Sequence, residues 1–86
     1  MNKYARIPDE IIDLHGKTTR EAEVVLNEIL RDSHVKHVRV ITGKATFRET
    51  GPVMKPFVKT FFESRGIRTS PAKQADGGDG ALEVFL

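Results

Sequence analysis

The sequence predicts an α/β fold, a two-layer βαβαββ sandwich with a four-stranded mixed sheet and two helices. Three observations carry the prediction. Two short β-branched runs, Ile11–His15 and Val38–Thr42, flank a stretch with apolar residues at helical spacing, Ala22, Val25, Leu26, Ile29 and Leu30, which together make a βαβ unit. A second helical stripe, Met54, Phe57, Val58, Phe61 and Phe62, follows it. Two further strand-like segments, Ile67–Lys73 and Ala81–Leu86, close the chain.

A chain of 86 residues has room for one core. Residues 1–8 have no apolar period and read as a flexible N-terminal arm, leaving residues 9–86 as a single domain. Charged residues make up 30% and apolar residues 38%, the balance of an ordinary globular domain. No apolar run approaches the roughly 20 residues of a membrane span, and none of signal-peptide type follows Met1–Tyr4. The absence of cysteine excludes a disulfide framework, a thiolate zinc site and a cysteine nucleophile. A cytoplasmic, monomeric protein with no membrane partner is the simplest expectation.

Each element has a local cause. Gly16 ends the first strand, and Thr18 opens the first helix through a capping box, in which its hydroxyl accepts an amide proton and Glu21 reaches back. Asp32, Ser33 and His34 end that helix. His34 and His37 fall in the turn before the second strand and read as surface histidines. Pro52 and Pro56 restrict where the second helix begins, because proline is tolerated only in the first turn. Gly66 follows its end as a C′ glycine. Pro71 inside Ile67–Lys73 confines that strand to a sheet edge, and Asp76–Gly80 is a glycine-rich turn before the last strand.

If Ile12, Leu14, Val38, Val40, Leu82, Val84 and Leu86 meet the helices, alternation puts Asp13, His15, Arg39, Ile41, Glu83 and Phe85 on the other face. That second face is expected to be wet, either as scattered surface residues or as a site for a partner.

Chemistry concentrates where the two parallel strands end. Asp13 and His15 stand two residues apart and are predicted to share a strand face. His15 is the candidate general acid or base, with Asp13 orienting it or holding a divalent cation such as magnesium or manganese. The alternative is a strand-end aspartate capping a backbone amide beside a half-exposed histidine. The segment Thr42-Gly43-Lys44-Ala45 would lie alongside, with Gly43 letting backbone amides approach a phosphate and Lys44 supplying charge, or else forming an ordinary turn. From Thr42 to Thr60 the bases Lys44, Arg48, Lys55 and Lys59 face a single acid, Glu49. Lys17 and Arg20 join them from the start of the first helix, outlining a phosphate-binding rim. Arg31, Lys36, Arg39, Arg65 and Arg68 at the other end reduce the asymmetry.

With these residues in view, the chain resembles the Smr (small MutS-related) domain family over Ile11 to Leu86. Ile12-Asp13-Leu14-His15-Gly16 is similar to the family's Leu-Asp-x-His-Gly motif, with isoleucine first. Thr18–Leu30 matches its capped helix, Thr42-Gly43-Lys44-Ala45 is similar to its His-Gly-x-Gly motif, and Gly77–Ala81 resembles its last glycine-rich turn. The resemblance implies a fold similar to the C-terminal domain of bacterial translation initiation factor three. It also implies binding of DNA or RNA, with DNA-nicking or RNA endonuclease activity in several members. Asp13 and His15 would then be catalytic, and Gly43 and Lys44 part of the substrate loop.

Thr42 replaces the histidine that opens the second motif in many members, and Ala45 replaces its closing glycine. Threonine cannot do imidazole chemistry near neutral pH, so binding is better supported than cleavage. A non-catalytic module for branched or structured nucleic acid, or a protein-interaction adaptor using the face around Ile41 and Phe85, remains as the alternative.

Overall fold

The computed structural model describes residues 7–43, 54–73 and 78–86. Its elements are β1 (Glu10–Asp13), α1 (Thr19–Arg31), β2 (His37–Ile41), α2 (Met54–Glu63), β3 (Arg68–Pro71), a 3-10 turn (Gly78–Gly80) and β4 (Ala81–Phe85). The sheet runs β1-β2-β4-β3, with β1 parallel to β2 and the other pairs antiparallel. The predicted two-layer architecture is therefore observed, with the Pro71 strand at an edge as expected.

Thr18 caps α1 as its sequence dictates: its hydroxyl accepts the Glu21 amide at 3.1 Å, and Glu21 accepts the Thr18 amide at 2.9 Å. The helix then turns Ala22, Leu26 and Ile29 inward. In α2, Pro56 occupies the first turn, and Met54, Val58, Phe61 and Phe62 are buried. These side chains meet Leu14, Val38, Val40, Leu82 and Val84 in one core between the helices and the sheet. Phe62 is its largest fully buried side chain.

At the sheet end where β1 starts, Asp9 clips β1 to β2. Its Oδ2 accepts the amides of Lys36 and His37 at 2.8 and 3.0 Å. These two backbone donors hold the Asp9 carboxyl below its usual range, against a small opposing effect of burial. A carboxyl depressed in the folded state adds stability above its unfolded value and loses it as pH falls through the folded value. Asp13 and Glu21 are depressed in the same direction. Folding stability is thus expected to fall with acid below about pH 4. Asp9→Ala should flatten part of that fall in chemical-denaturation curves taken from neutral to acid pH.

The second sheet face differs from the expected wet surface. Register puts His37, Arg39 and Ile41 of β2 beside Phe85, Glu83 and Ala81 of β4. Glu83 is buried, its carboxylate lying between His37 Nε2 at 2.5 Å and Arg39 Nε at 2.7 Å. The His37 ring stacks on Phe85 with centroids 4.8 Å apart, and the Arg68 guanidinium lies 4.8 Å from the same ring. His37 is thus not a turn histidine at the surface but the first residue of a strand, with its imidazole packed against Glu83 and Phe85. The reason is register: Asp9 draws residues 36 and 37 into the ladder, and cross-strand pairing delivers the imidazole to a carboxylate 46 residues away.

Candidate functional site

The parallel β1–β2 pair brings Asp13 opposite Ile41. Extended pairing then stops two residues earlier than the sequence predicts. Leu14 still donates its amide to Ile41, at 2.7 Å, but His15 and Gly16 lie in a turn. The cause is Asp13 itself. Its Oδ1 accepts the backbone amide of His15 at 3.0 Å, a local bond that competes with the ladder and bends the chain. Asp13 and His15 therefore meet across a turn, not as alternate residues of one strand.

The same oxygen lies 2.6 Å from His15 Nδ1. The two His15 donors, the ring first, hold the Asp13 carboxyl below its ordinary range, with a smaller contribution from the Lys17 charge and a small opposing effect of burial. An ionised carboxylate only accepts, so Nδ1 is the protonated nitrogen of the neutral ring. In that tautomer Nε2 keeps its lone pair, on the side of the ring away from the Asp13 bond, where it can exchange a proton with a bound group. Both side chains are accessible, His15 at 70% and Asp13 at 50% exposure.

The end of β2 supports this turn from beside it. Gly43 adopts φ +81°, and a Cβ there would lie 3.0 Å from His15 Cβ. Glycine is required on both counts, since a side chain would strain the backbone and press on His15. Gly43→Ala is expected to destabilise the domain by about 1–3 kcal/mol and to shift the amide and ring resonances of His15 in NMR spectra. Spectra that superimpose on wild type would sink this account. Thr42 next to it is buried at 7% exposure, and its hydroxyl has no hydrogen-bond partner among the described residues.

The basic candidates divide. Lys17 is exposed within the turn and near enough to act on the Asp13 and Glu21 carboxylates. Arg20 is exposed on the first turn of α1. Lys55 is half-buried on the first turn of α2, and Lys59 is exposed one turn on. The chain leaving α2 enters β3 at Arg68, which pairs with Phe85 at the far end of the sheet. Ten helical residues rise about 15 Å, close to the length of the strands, so the first turn of α2 stands at the same sheet end as His15. Lys44, Ala45 and Arg48 lie outside the described residues.

The positive end of α1 is already occupied. Glu21 sits on the Thr18 amide, and that bond with the Thr18 hydroxyl lowers its carboxyl, so the rim depends on side-chain charge more than on this helix end. No group of three or more histidine, cysteine, aspartate or glutamate residues that could hold a metal ion occurs among the described residues. Among the described residues Asp13 is the carboxylate paired with His15, and a hard cation there would need further oxygens, such as those of a substrate, to complete its shell.

Sequence reasoning missed two features. One is the Gly80 carbonyl, which accepts the amides of Thr42 at 2.8 Å and Gly43 at 3.0 Å. The glycine-rich composition of that turn was its only signal. The other is the His37–Glu83–Arg39 cluster, which only strand register reveals.

Fold and site together define a two-layer α/β domain carrying a carboxylate–imidazole pair at the carboxyl end of its parallel strands. The Smr domain model matches residues 12–86, and the chain belongs to that family. It is 37% identical over 87 residues to the endonuclease MutS2 of Carboxydothermus hydrogenoformans, covering 87% of this chain and 10% of that protein. The chain thus spans about a tenth of the length of that relative. Among solved structures, the Smr domain of Thermus thermophilus MutS2 superimposes with TM-score 0.74 at 21% identity, covering 90% of this chain and 96% of that one. The human small-MutS related domain does so with TM-score 0.63 at 28% identity, covering 87% and 98%. No helix among the described residues is long and apolar enough to cross a membrane.

Proposed function

We propose that this Smr domain binds DNA or RNA at the end of its parallel strands and hydrolyses phosphodiester bonds there, with His15 as acid–base group and Asp13 as its orienting partner. The observation that carries this reading is the Asp13–His15 contact, which leaves the exposed imidazole with a free Nε2. His15 would take a proton from the attacking oxygen or give one to the leaving oxygen. Lys17, Arg20, Lys55 and Lys59, with Lys44 and Arg48, would hold phosphates. Membership in a family whose relatives include a protein named endonuclease MutS2 supports the same direction. The Thr42 hydroxyl is buried with no partner among the described residues, and a buried hydroxyl left unpaired costs about 1–3 kcal/mol, so a polar group bound beside Gly43 would find a hydrogen-bonding group there.

The non-catalytic reading keeps one observation in its favour. Thr42, which replaces a histidine of the family motif, is buried and offers no proton acceptor of imidazole strength. Binding and cleavage are therefore measured on the same samples, with a structured RNA and a supercoiled plasmid, in magnesium, manganese or EDTA. Binding is expected to weaken roughly 10- to 100-fold for a fourfold rise in salt, as two to four neutralised phosphates require. Salt-insensitive or absent binding would remove the nucleic-acid reading. Binding without cleavage under every metal condition would establish the non-catalytic one.

A further inference from the structure

Three segments far apart in sequence meet beside His15. The amide of Gly78 donates to the Lys73 carbonyl at 2.9 Å, and Gly78 adopts φ +53°, the left-handed region that ordinary side chains resist. From there the chain makes the 3-10 turn Gly78–Gly80 and enters β4. The Gly80 carbonyl at the end of that turn takes two donors, Thr42 at 2.8 Å and Gly43 at 3.0 Å. Gly43 in turn abuts His15, with only 3.0 Å between the position of a Cβ on Gly43 and the Cβ of His15. A shift of the Gly80 carbonyl would thus move Gly43, which lies directly beside the His15 backbone and side-chain root.

We propose that Gly78 is a positioning residue for His15, because its left-handed backbone aims the Gly80 carbonyl that clamps Thr42 and Gly43 against the His15 turn. This rests on the reading of His15 as the acid–base group, and it adds a part the motif residues themselves do not supply. Asp13 fixes the ring from one side through Nδ1, while the clamp fixes the backbone that carries the ring from the other. Misplacement of a catalytic group by about 1 Å can cost about 10²-fold in rate, so a turn that never touches substrate still acts on the chemistry.

The test compares wild type with Gly78→Ala and Gly78→Asn, since asparagine tolerates the left-handed region and alanine does not. Ring-nitrogen NMR at about pH 8, where an ordinary imidazole is neutral, reads the His15 tautomer. Amide exchange reads Thr42 and Gly43. Gly78→Ala is expected to drift from the Nδ1–H tautomer toward an unrestrained mixture, and to speed exchange at both amides by about 10-fold or more. Its cleavage rate should fall about 10-fold or more with binding retained, while Gly78→Asn stays close to wild type in all readouts.

A folded alanine variant with an unchanged tautomer and unchanged exchange overturns the proposal. Equal losses in the alanine and asparagine variants overturn it too, because size and not backbone conformation would then be at stake. Should the alanine variant fail to fold, Gly78→Ser takes its place with the same readouts and the same criteria, because serine, unlike asparagine, is not enriched in the left-handed region. A wild type that binds no nucleic acid would remove the proposed function, yet tautomer and exchange would still decide whether the clamp holds His15.

Discussion

Replacing His15 with alanine is expected to lower cleavage by about 10²–10⁴-fold, the usual contribution of a positioned acid or base, while binding stays within a few-fold of wild type. The split follows from geometry. His15 is 70% exposed and spends its Nδ1 on Asp13, so its removal deletes a proton-exchanging nitrogen without disturbing the core. In the proposed function, phosphate binding would rest on lysine and arginine side chains that the substitution leaves in place. Initial rates and dissociation constants measured on one preparation separate the two. Equal loss of both would make His15 a structural or binding residue. Asp13→Asn is the companion variant: it keeps an oxygen that can accept the His15 amide, but loses the charge that holds the proton on Nδ1.

Phe62→Ala carries the largest expected effect on folding. Phe62 is fully buried, packs edge-on against Phe61 with ring centroids 5.2 Å apart, and lies in the same core cluster as Leu14, Val40 and Val84. Truncating such a ring costs about 3–5 kcal/mol through lost transfer energy and the cavity left behind. Domains of this size hold only about 5–10 kcal/mol in total, and each kcal/mol moves the midpoint by roughly 4–8 °C. Thermal unfolding followed by circular dichroism should therefore show a drop of about 15 °C or more. Val24, 58% exposed on α1, is the control, with an expected change within about 0.5 kcal/mol for Val24→Ala. Similar midpoints for the two variants would refute this description of the core.

The elements were legible in the sequence wherever a local cause fixes them. The Thr18–Glu21 capping box, the α2 stripe from Met54 to Phe62 and the Pro71 edge strand all rest on residues within one or two turns of each other. The strand that carries Asp13 was legible, but its end was not. Strand alternation treats a carboxylate as a passive side chain, whereas Asp13 bonds the backbone two residues on and turns the chain. His37 was misplaced for a related reason. Its environment is set by Glu83, a partner that no window of the sequence contains. In the candidate site, composition and spacing singled out Asp13, His15 and Gly43, which the structure brings side by side. The Gly80 carbonyl escaped because it is a backbone atom, and every residue type has one.

The position of the last strand has a consequence for how the domain comes into being. β4 is the final element in sequence, yet it lies inside the sheet between β2 and β3. Before residues 81–85 arrive, β3 has no neighbour, and the Thr42 and Gly43 amides have no Gly80 carbonyl to meet. Such long-range closure makes assembly concerted and comparatively slow. A nascent or truncated chain lacking those residues would display its basic side chains without the Gly80 carbonyl that holds Thr42 and Gly43 beside His15. The backbone clamp beside His15 would thus form in a single step, when the chain threads β4 into the middle of the sheet.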